Sequence, residues 1–409
     1  MPCFYNFHIF ATSMKHLRHI ISTLAIVLIA VLAAGTIVEK LHGTDFAHIH
    51  VYSAWWFVAL WAAFGIVAAI LTFRNKNWKQ SRVLALFLAV VFILVGALLT
   101  MLTGQHGRMK LEPNRPLSHF FIQEQDGITK EALPFSLTLD RFEIETYHDS
   151  QKPKDYISEL QVDDLDGTPP QPVRISMNHI LKHKGYRFYQ SDYDDKGNSI
   201  LDVAHDPWGI TVTYIGYAFL FIALVLVLVG QSKTYRAVTL SWLSVLVVLA
   251  VVLHVRMLTR QLMPVLRSPF FSLHISTIVT AYALLLGIAV VGIIAVVKRI
   301  AKPTEMAAFE RLQDISKAML YPAVALLAAG IFIGAVWANV SWGVYWSWDP
   351  KEVWALITLI VYALPLFSNV LRSFQKPMFY HVYGILAILS VIITYFGVNL
   401  LLGGVHAYN

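Results

Sequence analysis

A helix crosses a bilayer with roughly 18 to 25 apolar residues, and this chain has nine runs of about that length, near 17–38, 54–72, 83–102, 209–230, 238–257, 271–297, 319–337, 353–371 and 378–402. No other feature restricts the fold as strongly. With 57% hydrophobic and 14% charged residues, the 409-residue chain is far more apolar than a soluble domain. The expected fold class is an all-α polytopic membrane protein of about nine transmembrane helices, with one periplasmic β-rich domain inserted between helices three and four.

The first run, Leu17 to Val38, is longer than a signal-peptide core and lacks a small-residue cleavage site, so it is expected to stay as an anchor. Basic residues set the orientation. Alternate short segments put fifteen Lys and Arg on one side, from Lys15 and Arg18 to Arg372 and Lys376, against Lys40, Arg256, Arg260, Arg267 and Lys351 on the other. The richer side is expected to be cytoplasmic, with the N-terminus inside and the chain in a bacterial inner membrane. Because the net charge of +7 sits mostly in these loops, it speaks for orientation among membrane lipids and not for nucleic acid. Cys3 is the one cysteine, which excludes an internal disulfide or a Cys-X-X-Cys pair, so any thiol chemistry requires a partner's cysteines.

The expected division is 1–102 for helices one to three, 103–208 for the inserted domain, 209–237 for helix four and a cytoplasmic loop, and 238–409 for the remaining membrane domain. Within the insert, the alternation in Phe135-Ser136-Leu137-Thr138-Leu139 and the aromatic stretch 185–189 read as half-buried strands, with turns at 168–170 and 196–198. The segment 303–318 mixes charges with Met306, Phe309, Leu312 and Ile315 and reads as a short amphipathic cytoplasmic helix.

Chemistry concentrates in 337–354, where Trp337, Trp342, Tyr345, Trp346, Trp348 and Trp354 surround the turn Asp349-Pro350-Lys351-Glu352. An interfacial aromatic belt accounts for such rings on any membrane protein, whereas their crowding into one loop equally fits a platform for a flat π-ligand. Span parity puts His274 and His406 on the same side as this loop. A lone histidine at a helix end is ordinarily interfacial; two that flank one tryptophan-rich loop can supply both axial positions of a heme iron.

The run Trp342-Gly343 through Trp346, Trp348-Asp349-Pro350-Lys351-Glu352 resembles the WWD signature of the CcsA (ResC) heme-handling proteins of System II cytochrome c biogenesis. Phe271 to Ser276 and Gly397 to Tyr408 resemble the family segments that carry the two outer heme ligands. The resemblance implies His274 and His406 as axial ligands to heme b, with Trp342, Trp346, Trp348, Trp354 and Asp349 around the heme. The first 230 residues, three spans, an outer domain and a fourth span after Asp206-Pro207-Trp208-Gly209, look like a shortened CcsB (ResB), so the whole resembles a compact CcsBA fusion. It implies a holocytochrome c synthase of the heme lyase type, which attaches heme covalently to Cys-X-X-Cys-His of an apocytochrome c served by thiol-reducing biogenesis proteins.

Two positions depart from the family. Histidines expected inside the membrane align with Phe87 and Phe367, each about five residues from the cytoplasmic edge and roughly 7 Å deep at helical rise. Phenylalanine cannot ligate iron, so an inner heme site is expected to be absent or rebuilt from His381, His16 or His19. Asp349 and Glu352 are expected to orient the loop, and one of Arg256, Arg260 and Arg267 to meet a heme propionate or remain surface charge. Two other readings stay open: a heme carrier without attachment activity, and an ion or small-molecule transporter with an aromatic gate. Few ionisable residues interrupt the spans, which weighs against the transporter.

Overall fold

The computed structural model describes residues 2–74, 77–124, 127–148, 150–369 and 371–402. Within lipid a backbone can satisfy its polar groups only internally, and the apolar runs accordingly form helices. These are α1 (Pro2–His42), the short α2 (Thr44–Ala47), α3 (Trp55–Arg74), α4 (Ser81–Thr103), α5 (Gly209–Val229), α6 (Lys233–Thr259), α7 (Pro269–Ala301), α8 (Met306–Trp342), α9 (Pro350–Ala363) and α10 (Pro377–Ile392). Among the described residues, nine helical segments are long and apolar enough to cross a membrane.

The all-α class expected from the spans is corrected here. Between α4 and α5 stand eight strands: β1 (Gln105–Leu111), β2 (Pro116–Glu124), β3 (Gly127–Thr146), β4 (Pro153–Asp163), β5 (Gln171–Ser176), β6 (Leu181–His183), β7 (Tyr186–Tyr193) and β8 (Ser199–His205). They form one antiparallel sheet in the order β5-β4-β3-β2-β1-β8-β7-β6. The molecule is thus a helical membrane part joined to an all-β domain. Outside the apolar runs the hydrophobic period drops from that of a helix to two, and alternate residues such as Met109 and Leu111, or Leu201 and Val203, turn to one shared core with Phe120, Phe135 and Phe188. The strands expected at Phe135 to Leu139 and around 185–189 are present in β3 and β7, and the expected turns fall between β4 and β5 and between β7 and β8.

Strands β1 and β8 pair from Gln105 opposite His205 to Leu111 opposite Ser199, so the chain enters and leaves the domain side by side. Helices α4 and α5 therefore emerge as neighbours, and glycines let their backbones touch. A Cβ on Gly96 would lie 2.7 Å from the Thr213 nitrogen, and one on Gly209 2.6 Å from the Thr100 nitrogen. Asp206 ties the base of this hairpin, accepting from Thr100 Oγ1 at 2.5 Å and from the Gly209 amide at 2.7 Å.

Two spans differ from the sequence reading. Residues 306–318 are the first turns of the 37-residue α8 and not a separate amphipathic helix. The run expected to continue to 371 leaves α-geometry at Leu364, where Pro365 has no N–H to give the Val361 carbonyl. The Tyr383 hydroxyl donates to that carbonyl at 2.8 Å instead.

Helices α7 to α10 share one apolar core around Leu284, Leu327, Tyr362 and Val391. A second core joins Leu32 of α1, Tyr52 and Phe57 to Val353 and Ile357 of α9. The β domain rests on the α6–α7 connection and the end of α8: Tyr147 donates to the Leu262 carbonyl at 2.9 Å and Asn178 to the Pro264 carbonyl at 3.0 Å, while Ser341 donates to Asn178 at 2.9 Å.

Candidate functional site

Proline at the first turn starts α7, and His274 lies one turn further on, facing α8. Its Nδ1 is 2.7 Å from the Gly330 carbonyl oxygen. A carbonyl can only accept, so Nδ1 donates to it, the kind of contact that orients metal-ligating imidazoles. Glycine makes this contact possible. A Cβ on Gly334 would come within 2.7 Å of the imidazole Cε1 and Nδ1, and one on Gly330 within 2.7 Å of Ile278 Cδ1. Positions 274 and 278 on α7 thus oppose 334 and 330 on α8. Trp337 follows one turn later, its ring 6.5 Å from that of His274 and inclined by 23°.

A cavity of about 310 Å³ opens here, bounded by His274 and Trp337, by Tyr345 and Trp346 of the loop, and by Lys351 and Glu352 of α9. Aliphatic side chains of α7 with Tyr282, Thr394 and Tyr395 complete its walls. The mixture of broad apolar surface and a few polar groups is that of a small-molecule site. Tyr345 stands edge-on to Tyr214 and Tyr217, with centroids 5.8 and 5.9 Å away. Burial pushes its phenol well above the ordinary value, so it stays neutral.

Gly343, at φ +83°, ends α8 in the left-handed region, and a Cβ there would lie 2.9 Å from the Tyr189 ring of the β domain. The loop then turns back into α9, which starts with Pro350. Asp349 Oδ1 caps it by accepting from the Lys351 amide at 2.9 Å, and Glu352 reaches back to accept from the Ser347 amide at 2.8 Å. Both carboxylates therefore shape the turn.

Only part of the tryptophan set borders the cavity. Trp346 does; Trp348 is turned from it by a backbone φ of +60°, a conformation that costs a side-chain-bearing residue about 1–2 kcal/mol. Its indole lies flat on Tyr52, 4.8 Å between centroids at 6°, with Phe57 edge-on at 5.3 Å. Trp354 donates through Nε1 to Thr36 Oγ1 of α1 at 3.2 Å. Trp342 meets Trp337 edge-on at 5.0 Å and borders a separate cavity of about 420 Å³ under the β domain, beside Arg108 and Tyr189. His406 lies outside the described residues.

The arginines do not border the first cavity. Arg267 stands over the Tyr147 ring at 5.7 Å, within the joint to the β domain. Among the described residues, the Lys or Arg that borders it is Lys351. At the other end of the bundle, Phe87 packs edge-on against Phe73 at 5.4 Å, whereas Phe367 is exposed. His381 is buried against Phe309 and Tyr380, while His16 and His19 are exposed, so these rings do not share one pocket. Trp337, Tyr345 and Lys351 belong to the loop read from the sequence as a platform for a flat ligand, but were not among the residues assigned to hold it. One signal for Trp337 was legible: Gly330, Gly334 and Trp337 recur at the spacing of a single helix face.

Residues 77–205 match the ResB-like family, and residues 208–406 match the family described as cytochrome C assembly protein. Protein NrfI of Wolinella succinogenes is 36% identical over 152 residues, covering 36% of this chain and 17% of that protein. Cytochrome c biogenesis protein CcsA of Synechococcus sp. is 34% identical over 178 residues, covering 36% of this chain and 58% of that protein. The CcsA of Pyropia yezoensis is 45% identical over 107 residues, covering 26% and 33%. The chain therefore spans 58% or less of these relatives' length. A ResB-like domain followed by a cytochrome c assembly domain of the CcsA kind stands in one polypeptide, and the chain fits a CcsBA-type fusion of System II cytochrome c biogenesis.

Proposed function

We propose that this chain binds heme in the cavity between α7, α8 and the tryptophan loop and joins it covalently to the Cys-X-X-Cys-His of an apocytochrome c. The observation that carries the reading is His274, whose Nδ1 is engaged by the Gly330 carbonyl at 2.7 Å beside a cavity walled by Trp337, Tyr345 and Trp346. The residues suit an iron porphyrin: an imidazole oriented through its Nδ1, aromatic walls and one ammonium. In this reading His274 and His406 are the axial ligands. Trp346 packs on the porphyrin, and Trp342, Trp348, Trp354 and Asp349 fix the loop that carries it.

Heme b enters as substrate. Each thioether forms when a cysteine S–H adds across a vinyl double bond, sulfur to one carbon and hydrogen to the other, so no oxidant is consumed and no protein nucleophile is needed. The protein's part is to hold the vinyls beside the incoming thiols, which in favourable cases is worth up to about 7–11 kcal/mol. The excess of Lys and Arg on one set of loops supports a bacterial inner-membrane location with the N-terminus in the cytoplasm and the cavity and β domain in the periplasm. Thiol-reducing biogenesis proteins would keep the client's cysteines ready, since Cys3 is the chain's one thiol.

Co-expression with an apocytochrome c in a bacterium without its own maturation system, followed by in-gel heme staining of the denatured client, tests the attachment. A stained client is expected. Stable heme on this chain with an unstained client would replace the synthase by a carrier.

A further inference from the structure

Lys351 is out of keeping with its surroundings. It borders a mainly apolar cavity, half-buried, and its Nζ donates to Asn399 Oδ1 at 2.9 Å, a neutral partner. Among the described residues no carboxylate stands within 4 Å of that ammonium. The two acids nearest in sequence are held by the turn, Asp349 accepting from the Lys351 amide and Glu352, which also borders the cavity, from Ser347, so Asp349 acts on the ammonium only as a nearby charge.

An ammonium partly withdrawn from water with no carboxylate in direct contact is unfavourable, and a cavity that keeps one favours an anion beside it. The position adds to this, because Lys351 lies in the first turn of the 14-residue α9, where the helix dipole also favours negative charge. His274 borders the same cavity. One site therefore brings an imidazole and a cation to the same space, the second suited to an acid group.

We propose that Lys351 anchors a carboxylate of the porphyrin, so that the cavity selects an iron porphyrin acid and turns its vinyl edge away from α9. This rests on the heme reading above. An ammonium–carboxylate pair in a partly dry site distinguishes the free acid from its ester by about tenfold or more. It also makes Lys351 a positioning residue, since the edge opposite the propionates is the one that the client's thiols must reach.

The test uses the full chain purified in detergent, titrated with hemin and with hemin dimethyl ester and followed by the Soret absorbance. The native protein should bind the acid about tenfold more tightly. Lys351→Gln should bind both alike while keeping a His274-dependent spectrum, and Lys351→Arg should restore the preference. A Lys351→Gln protein that melts like the native chain and still prefers the acid would overturn the proposal. So would equal binding of acid and ester by the native chain; competition by added phosphatidylglycerol would then identify a lipid phosphate as the occupant. Binding of neither porphyrin by the native chain is a different result, because it removes the heme reading itself.

Discussion

Trp346 borders the cavity opposite α7, whereas Trp348, two residues on, lies flat against Tyr52 of the N-terminal segment; their rings stand 5.8 Å apart at 86°. The cavity wall and the seam are built on opposite principles. At the wall, Gly330 and Gly334 remove bulk so that an imidazole can lie on a helix backbone, and space remains beside it. At the seam, Trp348, Tyr52 and Phe57 fill one another's volume, and Trp354 hydrogen-bonds to α1. A bulky residue persists in the left-handed region only where its surroundings over-determine it, and the ring stack on Trp348 does so. One short motif thus both borders a ligand-sized space and clamps the CcsA-like half to the first helices of the chain.

If the wall serves a ligand and the seam serves the fold, substitutions should separate the two. The largest effect is expected for His274→Gly, which should reduce copurified heme to background while leaving the melting curve in detergent near native. Added imidazole should return part of the Soret band, since the space it needs has been created. Native heme content in this variant would remove His274 from the site.

Next in size is Gly334→Val. The new Cβ would stand 2.7 Å from ring atoms of His274, so the imidazole must turn from the Gly330 carbonyl. Heme affinity should fall about 10- to 100-fold, the usual cost of losing the partner that orients a metal ligand. Titration of the purified variant checks this. An unchanged affinity would mean that the hydrogen bond does not set the ligand's direction.

Trp348→Ala should reverse the pattern. Removing a large packed ring costs about 3 kcal/mol of stability, read from the denaturant midpoint in detergent, with a smaller change in heme affinity than either substitution at the wall. The comparison breaks if this variant loses heme and keeps its stability.

The smallest effect concerns pH. Burial, with Glu39 and Asp349 nearby, pushes the Tyr52 phenol above its ordinary value. A raised folded pKa means that the contribution of the neutral phenol is fully present below about pH 10, the unfolded value, and declines as pH rises beyond it. The difference in unfolding midpoint between the native chain and Tyr52→Phe should therefore be flat from about pH 6 to 9 and shrink above about 10. A slope near neutrality would show that another group titrates at the seam.

Much of the architecture was legible because its causes are local. Apolar length and the period-two pattern each follow from backbone hydrogen bonding, so the spans and the β-rich insertion could be read, although a class counted on helices alone left out the eight-stranded sheet. The site was legible as a cluster and not as an arrangement. Neighbourhood in the chain grouped Trp346 with Trp348, and charge on the right side of the membrane suggested Arg256, Arg260 and Arg267. Packing separated the tryptophans, set Arg267 over Tyr147 and brought Lys351 to the cavity.

The sequence by itself determined that the chain crosses a membrane many times, that a sheet-forming domain interrupts the helices, and that one loop is rich in indoles beside a helix-capping acid. Which indole faces a cavity and which faces the fold was decided only in three dimensions. The direction of Trp348 depends on a backbone turn at φ +60°, and the partner of Trp354 lies 318 residues away in α1. Local propensity carries no information about either, because both come from surfaces that meet only when the helices have assembled.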